Sequence, residues 1–227
     1  MKKFRILLAL LLLLVPQYIF ARAGGGGADA VEGGIFVTIL AVVLAPFFFI
    51  YSVVVTFLYR RKAARAKHLL NKLETGDPLW NYRLMNKRVE EVFYKLQKAW
   101  MERNQDLAKD DMSPVLYDRN KTQTDAMIQA GTINMLQSIM VKDITIIGVS
   151  DFRDNTQDSF KAMIRGSMID YHIYESTKKV FRGDPAKSEE FKEIWTFARS
   201  GDKWIADNID SEATSADLKN TEIYSQH

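Results

Sequence analysis

The sequence predicts an α+β domain in which a curved antiparallel sheet packs on helices that precede it. This domain is carried behind a signal peptide and one transmembrane helix. Three patterns predict this arrangement. A charge-free apolar run from Ile35 to Tyr59 ends on a basic cluster. Apolar residues then recur at helical spacing from Met85 onward. From Val141 the chain turns to β-branched stretches separated by short turns. Helices followed by strands, rather than the two alternating, mark the α+β class.

At the N-terminus, Lys2, Lys3 and Arg5 precede an apolar run from Ile6 to Val15, which Pro16 breaks. Ala21-Arg22-Ala23 then places small residues where a signal peptidase reads them. Residues 1–23 are accordingly read as a signal peptide. The apolar run is short of the ~30 Å hydrocarbon layer. With Tyr18, Ile19 and Phe20 added, an uncleaved first span is the alternative. Residues 24–34 read as a glycine-rich linker. The run Gly24 to Gly27 follows no strand and lacks the Gly-Lys-Ser/Thr of a phosphate loop.

Residues 35–59 form the transmembrane helix, about 37 Å long at ~1.5 Å per residue, with Pro46 placed to kink it. Arg60, Arg61, Lys62, Arg65 and Lys67 open a basic juxtamembrane segment, residues 60–76. Positive charge flanking a span stays on the cytoplasmic side, so the domain that follows is expected to face the cytoplasm. The five basic side chains are also candidate contacts for anionic lipid headgroups, each worth about 1 kcal/mol near the surface. A purely topological role is the alternative.

Charge narrows the function classes. The chain carries a net +3, but residues 1–75 hold ten Lys/Arg against three Asp/Glu. The remainder is therefore acidic, with 21 basic against 25 acidic residues. A nucleic-acid-binding domain needs its basic excess on the folded part, so nucleic acid is excluded as the main partner. With no cysteine in the chain, disulfides, thiolate catalysis and cysteine metal sites are also excluded.

The soluble domain spans residues 77–210. Asp77-Pro78 reads as a helix start, Asp capping and Pro fitting the first turn. Met85, Val89, Val92, Phe93, Leu96, Trp100 and Leu107 give the helix an aromatic-rich apolar face. Ser113-Pro114 starts a second helix through Leu116 and Tyr117, ending near Gly131 or Leu136. Strands follow at Val141 to Val149 and at Asp158 to Tyr174, the latter bent at Gly166. Two more, Glu190 to Arg199 and Lys203 to Asp210, are joined by the tight loop Ser200-Gly201-Asp202. A curved sheet over a long helix leaves a cone-shaped cavity. Residues 211–227 read as a loose polar tail.

Several segments recur together in order: Asp77-Pro78, Val92 to Trp100, Ser113 to Tyr117, and Trp195-Thr196-Phe197-Ala198-Arg199 followed by Trp204. In this order they resemble the C-terminal domain of the 44-kDa subunit of the mitochondrial inner-membrane import machinery and its bacterial relatives. The resemblance covers roughly Asp77 to Ile209. The Ala-Arg-Ala-Gly-Gly-Gly-Gly signal end followed by one span is similar to the bacterial members. The resemblance implies a fold similar to nuclear transport factor 2, residence in a bacterial inner membrane, and lipid and protein partners. A mitochondrial ribosomal protein shares the domain. This chain lacks the long charged N-terminal region that recruits the chaperone motor, and has a membrane helix in its place. What carries over is membrane-surface binding or scaffolding for membrane-protein transport, insertion or assembly, without catalysis and without a cofactor.

Two further readings stay open. The same fold hosts enzymes acting on small hydrophobic molecules, and Asp170, His172 and Tyr174 share one strand face where a general base could sit. A solvated polar face explains the same pattern. No HExxH, His–carboxylate spacing or nucleophile elbow is present, and His68 and His227 stand apart. A docking anchor for a ribosome or chaperone is the other reading. Phe93, Trp100, Trp195, Phe197 and Trp204 either fill the core or line a pocket for an acyl chain or apolar peptide.

Overall fold

The computed structural model describes residues 28–211 and 221–226. The signal peptide and the first residues of the linker lie outside the described residues. The chain divides into two compact units, Met1–Val54 and Val55–His227. In the first, the described backbone is helical and belongs to α1 (Ala28–Leu73), with Pro46 inside it. Residues 28–34, read above as linker, are already helix. From Val42 to Val54 large apolar side chains such as Phe47, Phe49 and Ile50 are exposed. Among the described residues this is the one helix long and apolar enough to cross a membrane.

The second unit holds the remaining end of α1, two helices and a six-stranded sheet. Residues 60–73, read as a juxtamembrane segment, continue α1 as helix. Asp77 caps a 3-10 turn, Pro78–Trp80, rather than the long helix. It is Asn81 that accepts a hydrogen bond from Leu84 N and starts α2 (Tyr82–Met101). Leu107 falls outside α2, in the 3-10 segment Gln105–Asp111. Ser113 caps α3 (Pro114–Gln129) as expected. Gly131, with φ +60°, makes the turn that delivers the chain into the sheet.

The strands are β1 (Thr132–Asp151), β2 (Ser159–Tyr174), β3 (Val180–Gly183), β4 (Glu189–Ser200), β5 (Lys203–Asp210) and β6 (Ile223–Ser225). Their order is β5-β4-β2-β1-β6, with β3 added on β2. All pairings are antiparallel except β1 with β6. β1 begins nine residues before Val141. Its first half is unremarkable in strand propensity, and continuous pairing with β2 from Thr132 to Gln137 holds it extended. The tail is not loose throughout, since β6 pairs with Val149–Asp151 and Lys62 Nζ donates to Thr221 O at 2.7 Å.

Curvature has identifiable causes. Register shifts interrupt the β1–β2 ladder at Gln137/Met140, Val141/Asp143 and Ile146/Gly148, each bending and twisting the pair. Gly166 sits opposite, where a Cβ would collide with Met140 O and come within 2.6 Å of Phe191 Cζ. The missing side chain is what lets the Phe191 ring lie across the strand and stack on Phe93, 5.6 Å between centroids.

The inner sheet face packs on α2. Phe160, Ala162 and Ile164 of β2, Trp195 and Phe197 of β4, and Trp204 of β5 meet Met85, Val89, Val92 and Phe93 in one core. Phe160 and Phe197 stack with centroids 4.9 Å apart, and Trp204 stands edge-on to Phe160 at 5.0 Å. Ala66 and Leu70 of α1 join this core. The alternate residues Met163 and Ile194, with Ile147, form a second cluster covered by Val55 and Tyr59. Two charged knots fasten the periphery. Asp111 accepts from Arg88 Nη2 at 2.6 Å and from Lys95, while Arg88 Nε donates to Trp204 O at 2.8 Å. Arg199 is held between Asp77 and Asp158, the latter at 3.1 Å.

Two outcomes follow. Phe197 is fully buried, so Phe197→Ala should destabilise the protein by about 3–5 kcal/mol in a denaturant melt of the full chain in detergent. Burial pushes the Asp111 carboxyl up, but the hydrogen bonds from Lys95 and Arg88 outweigh it and hold the group below its ordinary value. A carboxyl depressed in the folded state contributes stability that is present above its unfolded pKa and lost as pH falls through its folded pKa. Asp111→Asn should therefore lower the melting midpoint clearly at neutral pH. That difference should shrink in strong acid.

Candidate functional cavity

A cavity of ≈ 470 Å³ opens at the C-terminal end of α2, on the inner face of the sheet. This lies within the range of roughly 300–1,000 Å³ typical of ligand pockets. Its apolar walls are Leu96 and Trp100 of α2, Leu136 of β1, Met168 of β2, and Trp195 and Ile209 of the far strands. Gln97, Asn120 and Gln123 supply primary amides from the two helices. Arg119, Asp170 and Glu193 are its charged groups.

Each cavity carboxylate is steadied by an indole. Trp195 Nε1 donates to Glu193 Oε2 at 2.8 Å. Trp100 Nε1 donates to Asn134 Oδ1 at 2.9 Å, and Asn134 Nδ2 donates to Asp170 Oδ1 at 2.5 Å. Among the described residues no hydrogen bond reaches the second oxygen of either carboxylate. Glu193 is only 9% exposed. Burial raises its pKa, the Trp195 hydrogen bond works against that, and the Asp170 charge adds to the rise. Arg119 reaches away to Asn208 Oδ1 at 3.0 Å.

The five aromatics read from the sequence separate. Trp100 and Trp195 border the cavity, whereas Phe93, Phe197 and Trp204 are buried in the core behind it. Of the strand-face trio, Asp170 borders the cavity, and His172 and Tyr174 do not. His172 Nε2 lies 3.3 Å from Asn134 Nδ2, and burial lowers its pKa. Glu193 and Asn134 escaped the sequence reading. For Glu193 a signal exists. Phe191, Glu193, Trp195 and Phe197 alternate on one face of β4, which places a carboxylate among three core aromatics.

The basic residues also separate. Arg60, Arg61, Arg65 and Lys67 are exposed on α1, with Lys67 lying over the Tyr82 ring at 5.3 Å. Lys62 is half-buried and spends its ammonium on Thr221 O.

The family model described as the Tim44-like domain matches residues 68–212. No curated protein matches the chain. Among solved structures, the intermembrane space region of the chloroplast protein ARC6 is similar at a TM-score of 0.40 and 10% identity, over 57% of this chain and 97% of that one. The family model covers well over half of the sequence, from the last turns of α1 through the end of β5, and the chain belongs to the Tim44-like domain family.

Proposed function

We propose that the protein is a membrane-anchored, non-catalytic binding scaffold that assists the transport, insertion or assembly of membrane proteins. Membership of the Tim44-like family associates the chain with scaffolds of membrane-linked protein transport. The observation that carries the reading to this chain is the open cavity, which combines tryptophan walls with the amides of Gln97 and Gln123 and with two carboxylates that each keep one open oxygen. Such a lining suits the side chains and backbone of a passing polypeptide. Asp170 and His172 both turn to the amide of Asn134 rather than forming an acid–base pair, which favours binding over catalysis.

The anchor is α1, in a bacterial inner membrane, with the domain on the cytoplasmic face as the positive charge after the span requires. Arg60, Arg61, Arg65 and Lys67 contact anionic headgroups. Lys62 contributes to the fold instead.

A photo-crosslinking residue in place of Gln123, at the cavity mouth, should capture newly made membrane proteins in intact cells. Absence of polypeptide adducts there would contradict the scaffold reading. The cysteine-free chain also allows a direct test of orientation, with Ala186→Cys on an exposed loop. An impermeant maleimide should label it only after spheroplasts are lysed. Labelling of intact spheroplasts would place the domain on the other side. For the lipid contact, the full chain in nanodiscs should retain anionic lipid. The joint change of Arg60, Arg61 and Arg65 to Gln should release it, as should about 0.5 M salt, where the Debye length falls to roughly 4 Å.

A further inference from the structure

The cavity has a chemical bias that goes beyond general polypeptide binding. Its two carboxylates stand on neighbouring strands, Glu193 on β4 and Asp170 on β2, and both face the same space. Each has one oxygen committed to a bond within the domain and the other open. The rings that hold them, Trp195 directly and Trp100 through Asn134, are themselves cavity walls. The single cation among the described lining, Arg119, is drawn aside to Asn208. Glu193 is buried, and a buried carboxylate with an open oxygen is costly unless a cation or proton meets it, while Asp170 stands exposed at the rim. Indole faces attract cations as well, so both features favour the same occupant.

We infer that this cavity receives the lysine or arginine side chain of a bound polypeptide, its cationic end between Glu193 and Asp170 and its apolar stem against Trp100 and Trp195. The inference rests on the scaffold reading and specifies what that scaffold selects. A polypeptide is favoured over a free amine because Gln97, Asn120 and Gln123 surround the site. A primary amide offers both donor and acceptor, which matches a peptide backbone, whereas a bare ammonium would use only the acceptor. The acidic balance of the chain beyond residue 75 acts in the same direction.

The groups facing Glu193 fix the pH dependence. They are Asp170 from β2 and Arg119 from α3, with His172 behind Asn134, while α2 contributes only uncharged side chains to the lining. Because burial raises the Glu193 carboxyl, it becomes neutral on acidification before an ordinary carboxylate would. Affinity for a cation should accordingly fall as pH drops through a region above the usual carboxylate range. That step should be missing in Glu193→Gln.

The test uses the full chain in detergent and a fluorescein-labelled pentapeptide with a central lysine between leucines, read by anisotropy. Matched peptides carry acetyl-lysine or norleucine at the centre. The lysine peptide should bind at least about tenfold more tightly than either, as expected for a buried charge pair. Glu193→Gln and, independently, Asp170→Asn should each reduce that preference with melting behaviour retained. Equal binding of lysine and acetyl-lysine peptides would overturn the cation site while leaving the scaffold intact, since capture at Gln123 in cells tests that separately. Failure of all three peptides to bind would overturn it as well. Hexylamine binding as tightly as the lysine peptide would assign the site to a free amine and overturn the peptide occupant.

Discussion

The domain depends on burying one face of α2. Met85, Val89, Val92 and Phe93 present a continuous apolar stripe, and each fully buried side chain of this kind contributes about 1.5–3 kcal/mol. A flat sheet would touch such a cylinder along one line. The sheet instead curls around it, through three register shifts in the β1–β2 ladder and the missing side chain at Gly166. Phe191 is the clearest consequence. Its ring occupies the space that a Cβ at Gly166 would need, and so reaches Phe93. The aromatic run Phe93, Trp195, Phe197, Phe160 and Trp204 then fills the closed end of the wrap.

At the other end of α2 the wrap stays open, and the lining changes character. Leu96 and Trp100 continue the helix face, but their sheet neighbours include Asp170, Glu193 and Asn134 alongside Leu136, Met168 and Ile209. The two charged knots of the fold lie elsewhere, Asp111 with Arg88 and Lys95, and Arg199 with Asp77 and Asp158. In both knots every carboxylate meets a guanidinium or ammonium within the chain. The cavity carboxylates meet only neutral donors. That contrast separates groups that hold the fold from groups that are open to something outside it.

Much of this was legible in the residues. The apolar face of α2, the Ser113 cap, the strand ending at Tyr174 and the span of β5 followed from periodicity and capping chemistry. The family resemblance was legible separately, in the order of motifs that include several of the core aromatics and caps. What escaped was set by partners distant in sequence. Thr132–Met140 looks no more like strand than helix, and pairing with β2 decides it. Ile223–Ser225 is too short to announce itself, and becomes a strand only on the free edge of β1. Asp77 was recognised as a cap, but the length of the element it caps depended on Asn81 taking over four residues later. The cavity was half legible. Trp100 and Trp195 were among the candidates, yet aromatic residues alone do not reveal which end of the wrap is closed. Glu193, alternating with Phe191 and Trp195, marked the open end.

The central claim is that this open end is the working surface. Met168 borders the cavity and is only partly buried. Met168→Trp should occupy the void while leaving the closed core untouched. Anisotropy of the lysine peptide on this variant, alongside its melting midpoint, is the most direct measurement. Peptide affinity lost at unchanged or raised stability is the predicted result. Unaltered affinity in a folded Met168→Trp protein would contradict the claim, since it would place polypeptide binding somewhere other than the cavity.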